Sequence, residues 1–484
     1  MCIRILYPLL TVFIMTTSVF GYCNTDTTIT SLPVSLPQIN DSSHHHINVD
    51  SIIISGNKKT KNYIIRRELT FKEGDSLDAA KIYSILEQSR ELIYNTNLFS
   101  IVSIKPQLTS AYNMNIIVSV LERWYIYPAP QFKLIDRNVN EWWKTYNADL
   151  NRVTYGIKYT QYNFSGRADQ LNLYMLNGYS RNFTAVYTAP YTNNQLTEGI
   201  SFAAGYSEAR EFPYKTNYQN KLLNFRSDKY DRKTYSISGT YRIRRGLYKK
   251  HFITLQYTSM TVIDSVLQPA YNPSYFNSNK SNIGFFDISY VYQYVNTDNI
   301  NFPQKGKIIT FGINKRGLGI SGGINMLSAD FSFRKYYPHA AGFFSSVAFM
   351  GKIKLPFKQA YINQRALGYG DFYMSGLENY VVDGVAAAVA KYNLYKKLIS
   401  FKIPVPFHIK ALPYIPFGFY GKLYGETGFA YNKLELDTRL NNRLLYSGGF
   451  GIDILSLYDL RLSVEYSFNQ LGEKGLFLHS RSIL

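Results

Sequence analysis

Alternation of apolar and polar residues begins near residue 124 and continues to the end of this 484-residue chain. In Ile253–Thr258 and again in Leu462–Phe468, aliphatic or aromatic side chains occupy every second position, and polar side chains stand between them. A period of two predicts β-strands with one apolar face and one polar face. A water-soluble sandwich would alternate in the same way, so the number and length of the strands must decide the architecture.

The alternating region divides into sixteen candidate strands, and many reach the ~9–11 residues that cross a bilayer at a tilt. Every backbone group inside a bilayer must be paired, which requires spanning strands to close into a barrel. The sequence therefore predicts a mainly β protein with a transmembrane antiparallel β-barrel of about sixteen strands over 124–484. Longer polar connections at 208–232, 263–283 and 356–383 are predicted to be extracellular loops. The predicted strands lie near 129–136, 152–163, 168–176, 181–190, 197–207, 233–244, 250–262, 284–295, 305–316, 323–335, 341–355, 384–399, 418–430, 444–455, 459–468 and 475–484.

Composition and charge favour a membrane partner. The chain contains 44 tyrosines and 31 phenylalanines, which suits the aromatic girdles of membrane barrels. Its formal net charge of +20 indicates an anionic partner, either nucleic acid or phosphate-bearing lipid. Residues 1–21 have the pattern of a secretory signal, with Arg4 ahead of the apolar run Ile5–Met15. Export argues against nucleic acid as the partner. We therefore predict that the positive charge contacts outer-membrane lipids, including lipopolysaccharide-type phosphates.

A polar linker is predicted over 22–46, ending in three histidines for which a solvated tract is favoured over a metal site. Cys2 leaves with the signal, so Cys23 has no intramolecular disulfide partner. Lipidation of Cys23 is disfavoured because Tyr22 precedes it, where a small residue is needed. No later segment is long and apolar enough for a transmembrane helix.

Residues 47–123 have the pattern of a small α/β unit with the order β-α-α-β-β. A strand over Ile47–Ser55 precedes a helix that Thr60 is predicted to cap, and residues 73–76 turn the chain. A second helix over Asp78–Tyr94 places its apolar residues on one face, and two further strands follow near 101–107 and 114–121.

This order resembles a POTRA domain, the periplasmic module of the BamA/TamA family of outer-membrane insertases. A generic two-layer α/β domain is the alternative. The resemblance implies a sheet edge at which an extended client segment adds as a further strand. The residues that carry it are Gly56, Asn57, Thr60, Gly74, Asp75, Leu98 and Phe99.

Enzymatic motifs are weak in this chain. Gly317–Gly323 fits both a dinucleotide-binding pattern and a nucleophile-elbow pattern, but either chemistry needs a helix after the turn. A strand is predicted there instead. The remaining histidines lack ligand spacing, and no carboxylate pair suggests acid–base work. We therefore predict no enzyme, no cofactor and no metal.

The segment Arg365–Gly384 is too long for a hairpin turn and too rich in glycine and aromatics for a solvated loop. We predict that the connection near 356–383 folds back into the barrel lumen. The segment also resembles the sixth extracellular loop of the insertases, whose Arg-Gly-aromatic motif meets an acidic residue on the barrel wall. Here Ser375 stands at the arginine position, and Arg365 is a hypothetical substitute. The residues that carry the loop resemblance are Arg365, Gly368, Ser375, Gly376, Leu377, Tyr380, Asp383 and Gly384.

Tyr424, Glu426 and Gly428 resemble the strand motif of the same family, with Glu426 at the position of the usual aspartate. The resemblance implies an outer-membrane protein of a Gram-negative-type bacterium, with its POTRA domain in the periplasm. Its implied function is insertion or translocation of client outer-membrane or exported proteins, by strand capture at the POTRA edge and the barrel seam. Other envelope assembly subunits are possible partners. The alternative is a non-insertase structural or pore-forming subunit of a larger outer-membrane complex.

Overall fold

The computed structural model describes residues 46–135, 147–319, 324–405, 414–433 and 438–481. The predicted signal, Cys2, Cys23 and the predicted linker up to residue 45 lie outside these ranges. His46, predicted as the end of the linker, is the first residue of a strand. Among the described residues, no helix is long and apolar enough to cross a membrane.

The N-terminal domain (46–122) is a four-stranded sheet in the order β2-β1-β4-β3, with β1 parallel to β4. Fully buried Ile64, Ile93, Phe99 and Met114 form the centre of its core between helices and sheet. Its elements are β1 (His46–Ser55), α1 (Asn62–Arg66), β2 (Ser76–Asp78), α2 (Ile82–Tyr94), β3 (Phe99–Leu108) and β4 (Asn113–Glu122).

Three local predictions for this domain are wrong. A short strand, β2, pairs with β1 where only a turn and the start of a helix were predicted, and α2 begins at Ile82 rather than Asp78. Thr60 does not cap α1, whose N-cap is Lys61 without a side-chain hydrogen bond. Thr60 Oγ1 instead donates to Glu122 Oε1 at 2.7 Å, which ties the entry to α1 to the end of β4.

The rest of the chain forms one sixteen-stranded antiparallel sheet. Apolar side chains on its strands point outward and are exposed, whereas the alternate side chains point inward and are mostly polar. The strands in chain order are β5 (Ile126–Leu134), β6 (Val153–Tyr162), β7 (Gln170–Gly178), β8 (Ser180–Ala189), β9 (Glu198–Ala209), β12 (Arg232–Arg245), β13 (Lys249–Val262), β14 (Asn282–Thr297), β15 (Gly306–Arg316), β16 (Met326–Pro338), β17 (Phe343–Leu355), β20 (Ala386–Pro404), β21 (Tyr414–Tyr431), β22 (Leu444–Leu455), β23 (Arg461–Asn469) and β24 (Lys474–Arg481).

Two short sheets stand in the long connections between these strands. β10 (Glu211–Thr216) and β11 (Leu222–Arg226) form a hairpin after β9, and β18 (Arg365–Leu367) pairs with β19 (Val382–Asp383) between β17 and β20. The fold class is confirmed, since each of the sixteen predicted strands is present, 444–455 with the predicted bounds and the others with shifted ends. The strand predicted after the glycine-rich connection is also present, since β16 begins at Met326.

The two ends of the sheet are drawn together, which gives it the form of a barrel. The rings of Tyr127 in β5 and Tyr458 in the turn before β23 lie 6.1 Å apart, and the Trp124 amide donates to the Tyr458 hydroxyl. Over the described residues, no ladder joins β5 to β24. We call the end of the barrel that contacts the N-terminal domain the near end, and the opposite end the far end.

Candidate functional site

The connection between β17 and β20 returns on itself as a small hairpin. Gly368 has φ +84°, and a Cβ there would lie 2.3 Å from the Tyr380 carbonyl oxygen. A Cβ at Gly384 would lie 2.6 Å from the Tyr431 carbonyl oxygen of β21. Only glycine therefore allows the hairpin to close and its base to lie this close to the barrel wall.

The hairpin packs against an apolar patch on the inner wall of the barrel. The wall residues come from β17, β20, β21 and β22, and they are small or flexible where the loop approaches them. Burial of this contact removes apolar surface from water on both sides and stabilises the packed loop. The buried cluster comprises Met350, Ala366, Leu367, Met374, Leu377, Tyr380, Val382, Ala387, Val389, Ala430, Leu440 and Leu445.

Glu426 is the polar anchor of this loop. It lies on the inner face of β21 and accepts hydrogen bonds from Ser375 N and Ser375 Oγ, both at 2.9 Å. Lys391 Nζ on β20 lies 3.0 Å from the same carboxylate. Ser375, at the position of the family's arginine, thus contacts the acidic strand residue, while a wall lysine supplies the positive charge.

The hypothesis that Arg365 replaces the missing arginine is wrong. Arg365 is exposed, and its guanidinium lies 5.5 Å from the Tyr369 ring. Arg365 is the first residue of β18, and its backbone pairs with Asp383 in the loop hairpin. The Glu426 carboxylate is instead bound by Ser375 and Lys391.

The other residues of the two family motifs also meet here. A Cβ at Gly428 would lie 2.7 Å from Met374 Sδ, so this glycine makes room for the loop methionine. Gly376 has φ +82°, and its carbonyl accepts from Asn469 of β23. Tyr424 bonds to Ser467 at 2.5 Å, which joins β21 to β23 across the inner face.

Tyr380 and Asp383 attach the second half of the loop. Tyr380 donates to Glu473 in the turn between β23 and β24 at 2.5 Å. Asp383 accepts from Tyr369 at 2.6 Å, which braces the hairpin internally. Leu377, at the position of the family's aromatic residue, is buried in the apolar cluster.

Asn220, at the tip of the β10–β11 hairpin, was not predicted from the sequence. It is fully buried, and it donates to Val381 O at 3.1 Å and accepts from Leu440 N at 2.8 Å. Its backbone carbonyl also accepts from Val381 N. The β10–β11 hairpin therefore extends across the far end of the barrel and holds the β17–β20 loop through these hydrogen bonds. An asparagine with φ +58° at a hairpin tip is the only local signal, and it indicates a turn rather than a contact.

The near end of the barrel is covered by the N-terminal domain through polar contacts. Arg244 on β12 forms a bidentate pair with Glu68, at 2.5 and 2.6 Å, and their side chains are only 12% and 3% exposed. Arg123 lies 3.3 Å from Asp459 in the turn before β23. Tyr94 also donates to Asp459, and burial with this carboxylate raises the pKa of Tyr94 to about 12.

The β14–β15 turn (298–305) folds inward into the near end of the lumen. Phe302 packs among the rings of Phe344, Tyr395 and Tyr420 on the inner wall. Between this turn and the loop hairpin lies a cavity of about 180 Å³. The lumen is thus filled from both ends, and the remaining space is lined by charged and polar side chains.

The residues that carry the POTRA resemblance lie within the N-terminal domain and serve mainly its fold. Gly56 has φ +89°, and a Cβ there would lie 1.9 Å from the Val120 carbonyl oxygen. Asn57 donates to Thr60 O, and Asp75 accepts from Lys72 N. Gly74 has φ +88° in the turn before β2, and Leu98 and Phe99 are buried in the core. Of this set, Thr60 also contacts the barrel, through Asn163 Nδ2 at 2.9 Å.

No group of three or more histidine, cysteine, aspartate or glutamate side chains within the described ranges could hold a metal ion.

Two family models match parts of this chain, one in the N-terminal domain and one in the barrel. The POTRA model, described as a surface antigen variable number repeat, matches residues 47–123, and an Omp85 superfamily domain model matches 163–380. The chain carries a POTRA domain and an Omp85 domain. One POTRA region is present in the matched part, and no curated protein sequence matches the chain.

Solved structures of BamA and CdiB proteins are similar to this chain at low identity. BamA from Haemophilus ducreyi lacking POTRA domains 1–3 is 17% identical, with a TM-score of 0.49, over 90% of this chain and 83% of that one. CdiB from Acinetobacter baumannii is 11% identical, with a TM-score of 0.44, over 90% and 73%. CdiB from Escherichia coli is 11% identical, with a TM-score of 0.46, over 93% and 91%.

Proposed function

We propose that this protein inserts other polypeptides into the outer membrane or translocates them across it. The observation that carries the proposal is the seam between β5 and β24, which no ladder joins over the described residues. Strand edges with free backbone groups pair readily with a further strand. Leu476 and Leu478 on β24 are 71% and 68% exposed. This edge therefore offers both backbone partners and an apolar outer face to an incoming strand.

A second strand edge lies in the POTRA domain. β3 is the outer strand of the four-stranded sheet, with β4 on its other side. An extended client segment adding to β3 would gain main-chain hydrogen bonds without any catalytic group. Strand capture at both edges needs no cofactor, and we propose that the protein is not an enzyme.

Omp85 barrels are outer-membrane proteins, and we propose that this barrel spans the outer membrane with its near end and POTRA domain in the periplasm. The exposed aromatic and aliphatic side chains of the outer face suit the acyl chains. We further propose that the basic balance of the chain, +20, favours lipids with phosphate groups, including lipopolysaccharide. Client outer-membrane or exported proteins and other envelope assembly subunits are the proposed protein partners.

Reconstitution tests the proposal directly. The purified protein is placed in liposomes, and an unfolded outer-membrane barrel protein is added from denaturant. We expect its folded fraction to rise faster than in empty liposomes. Depletion in cells should lower the level of at least one barrel or exported protein. Unchanged folding rates for a panel of clients, together with an unchanged outer-membrane proteome, would reject the proposed function.

A structural subunit of a larger complex is a second candidate. The observation that favours it is the exchange of the family's loop arginine for Ser375, with Lys391 supplying the charge from the wall. Purification in mild detergent separates the candidates. Stable companions together with no folding activity support the structural subunit, and a lone active protein supports the first proposal.

A further inference from the structure

A cavity of about 280 Å³ lies at the near end of the lumen, between the POTRA domain and the inner wall formed by β12 and β13. Arg242 and Arg244 face it from alternate positions of β12, and Lys250 faces it from β13, opposite Arg244 in the strand register. Alternation therefore concentrates three cations on one part of the inner wall.

The cavity already contains one carboxylate in an anion-binding geometry. Both oxygens of Glu68 accept from the two terminal nitrogens of Arg244, which is the planar fork that guanidinium groups form with carboxylates. The Tyr191 hydroxyl adds a third contact to Glu68 at 3.4 Å. This glutamate comes from the POTRA domain, so its position depends on how that domain is seated.

The other two cations have no carboxylate partner among the described residues. Arg242 lies 5.1 Å from the Phe252 ring, and the Lys250 side chain has neither an ion pair nor a hydrogen bond within the described residues. Glu91, the second carboxylate lining the cavity, is partly buried, and burial raises its pKa, with Asp298 adding to the shift. The cavity therefore holds more positive than negative charge, and unpaired buried charge favours an anionic ligand.

We propose that this cavity binds acidic side chains of an unfolded polypeptide, and that Glu68 occupies the place of such a carboxylate when no client is present. A client carboxylate would pair with Arg242 and Lys250 and compete with Glu68 for Arg244. The resident group is a carboxylate, and the space suits one or two side chains rather than a folded domain. The proposal rests on the proposed function, since only a protein that handles polypeptides would present such chains at the near end.

Binding of a fluorescent peptide to the full chain in detergent tests the site. The probe carries several aspartates in a flexible segment, and a matched peptide carries asparagines in their place. We expect the acidic peptide to bind at least about tenfold more tightly than the neutral one at low salt. Arg242→Gln and Lys250→Gln should each weaken the acidic peptide by about tenfold. Arg245→Gln and Lys249→Gln are the matched controls, because these neighbours are exposed on the same strands and do not line the cavity.

The Glu68→Gln variant distinguishes competition between Glu68 and the peptide carboxylates from simple attraction of the peptide to the positive charge of the cavity. Removing the resident carboxylate should strengthen binding of the acidic peptide several-fold. A shift in gel mobility between unheated and heated samples shows that the barrel of each variant is folded. The Arg242 and Lys250 variants test the site without altering the Glu68–Arg244 pair. Weaker binding by folded Glu68→Gln would overturn the competition.

Two further outcomes would overturn the site itself. The first is equal binding of the acidic and neutral peptides. The second is tight binding of inorganic phosphate with no peptide binding, which would make this a phosphate site. Peptide binding without any folding or export activity would reject the proposed function while supporting the site, so the two failures are distinguishable.

Discussion

The two ends of the barrel are closed by different physical means. At the far end, the loop hairpin buries a continuous apolar cluster against the inner wall and anchors Ser375 on Glu426. At the near end, the POTRA domain meets the barrel through ion pairs and hydrogen bonds, such as Glu68–Arg244 and Arg123–Asp459, beside an apolar contact in which Tyr162, Ala168 and Tyr191 pack against the POTRA core. Because the near-end network borders a cavity of about 280 Å³, ions that enter the cavity can compete with its ion pairs, whereas the apolar cluster at the far end has no charge for salt to screen.

This difference assigns distinct roles to the two closures. The far-end loop is part of the barrel core, and its loss would cost stability. The near-end contact of the POTRA domain includes several polar groups whose partners water and ions can replace, so it is better suited to release when a client arrives. Residues of the far end should therefore affect unfolding, and those of the near end should affect POTRA docking.

The largest effect is expected for Glu426→Ala. The variant leaves Lys391 without its carboxylate and removes the acceptor for both donors of Ser375. Removing one member of a buried ion pair costs about 3–5 kcal/mol. Denaturant titration of the folded barrel should show this loss in the free energy of unfolding. Arg365→Glu is the control, because its exposed side chain does not contact Glu426, and it should change stability by less than about 0.5 kcal/mol.

A smaller effect on stability is expected for Arg244→Ala, about 2–3 kcal/mol, since its ion pair lies beside a cavity that water can enter. Its main consequence should be a loosened POTRA domain, because Glu68 then loses its fork partner. Limited proteolysis near residue 123 measures this as faster separation of the domain from the barrel. A barrel that unfolds before the domain is released would contradict the comparison.

Asn220→Ala should cost about 1–3 kcal/mol, since it breaks buried hydrogen bonds to Val381 and Leu440 and leaves their backbone groups unpaired. The far-end hairpin β10–β11 should then separate from the loop more often, because the backbone bond from Val381 N to the Asn220 carbonyl remains but the side-chain bonds are lost. Hydrogen exchange of the Val381 amide, which donates to the Asn220 carbonyl, would report the separation by becoming faster. An unchanged exchange rate would show that other contacts hold the hairpin.

Much of this architecture could be predicted from the sequence because alternation is a local signal. All sixteen strands follow from it, and so does an unusual loop at 365–384, since glycine and aromatics together are incompatible with a solvated connection. The partner of Glu426 could not be predicted, because Lys391 reaches it from a neighbouring strand whose register the sequence does not fix. Asn220 was missed for the same reason, since its contacts lie more than 150 residues away in the chain. Thr60 was misassigned because the helix begins one residue later, with Lys61 at its N-cap, and the Thr60 hydroxyl donates to a long-range acceptor, Glu122.

Hydrogen exchange of the full chain at about 0.1 M and about 1 M salt tests the central difference between the two ends most directly. We expect amides of the near-end contacts, in the turns at 190–197, 246–248 and 456–460, to exchange faster at high salt. Amides of the loop at 365–384 should remain protected at both salt concentrations. Salt-dependent opening of the loop, with the near-end turns unchanged, would contradict the account.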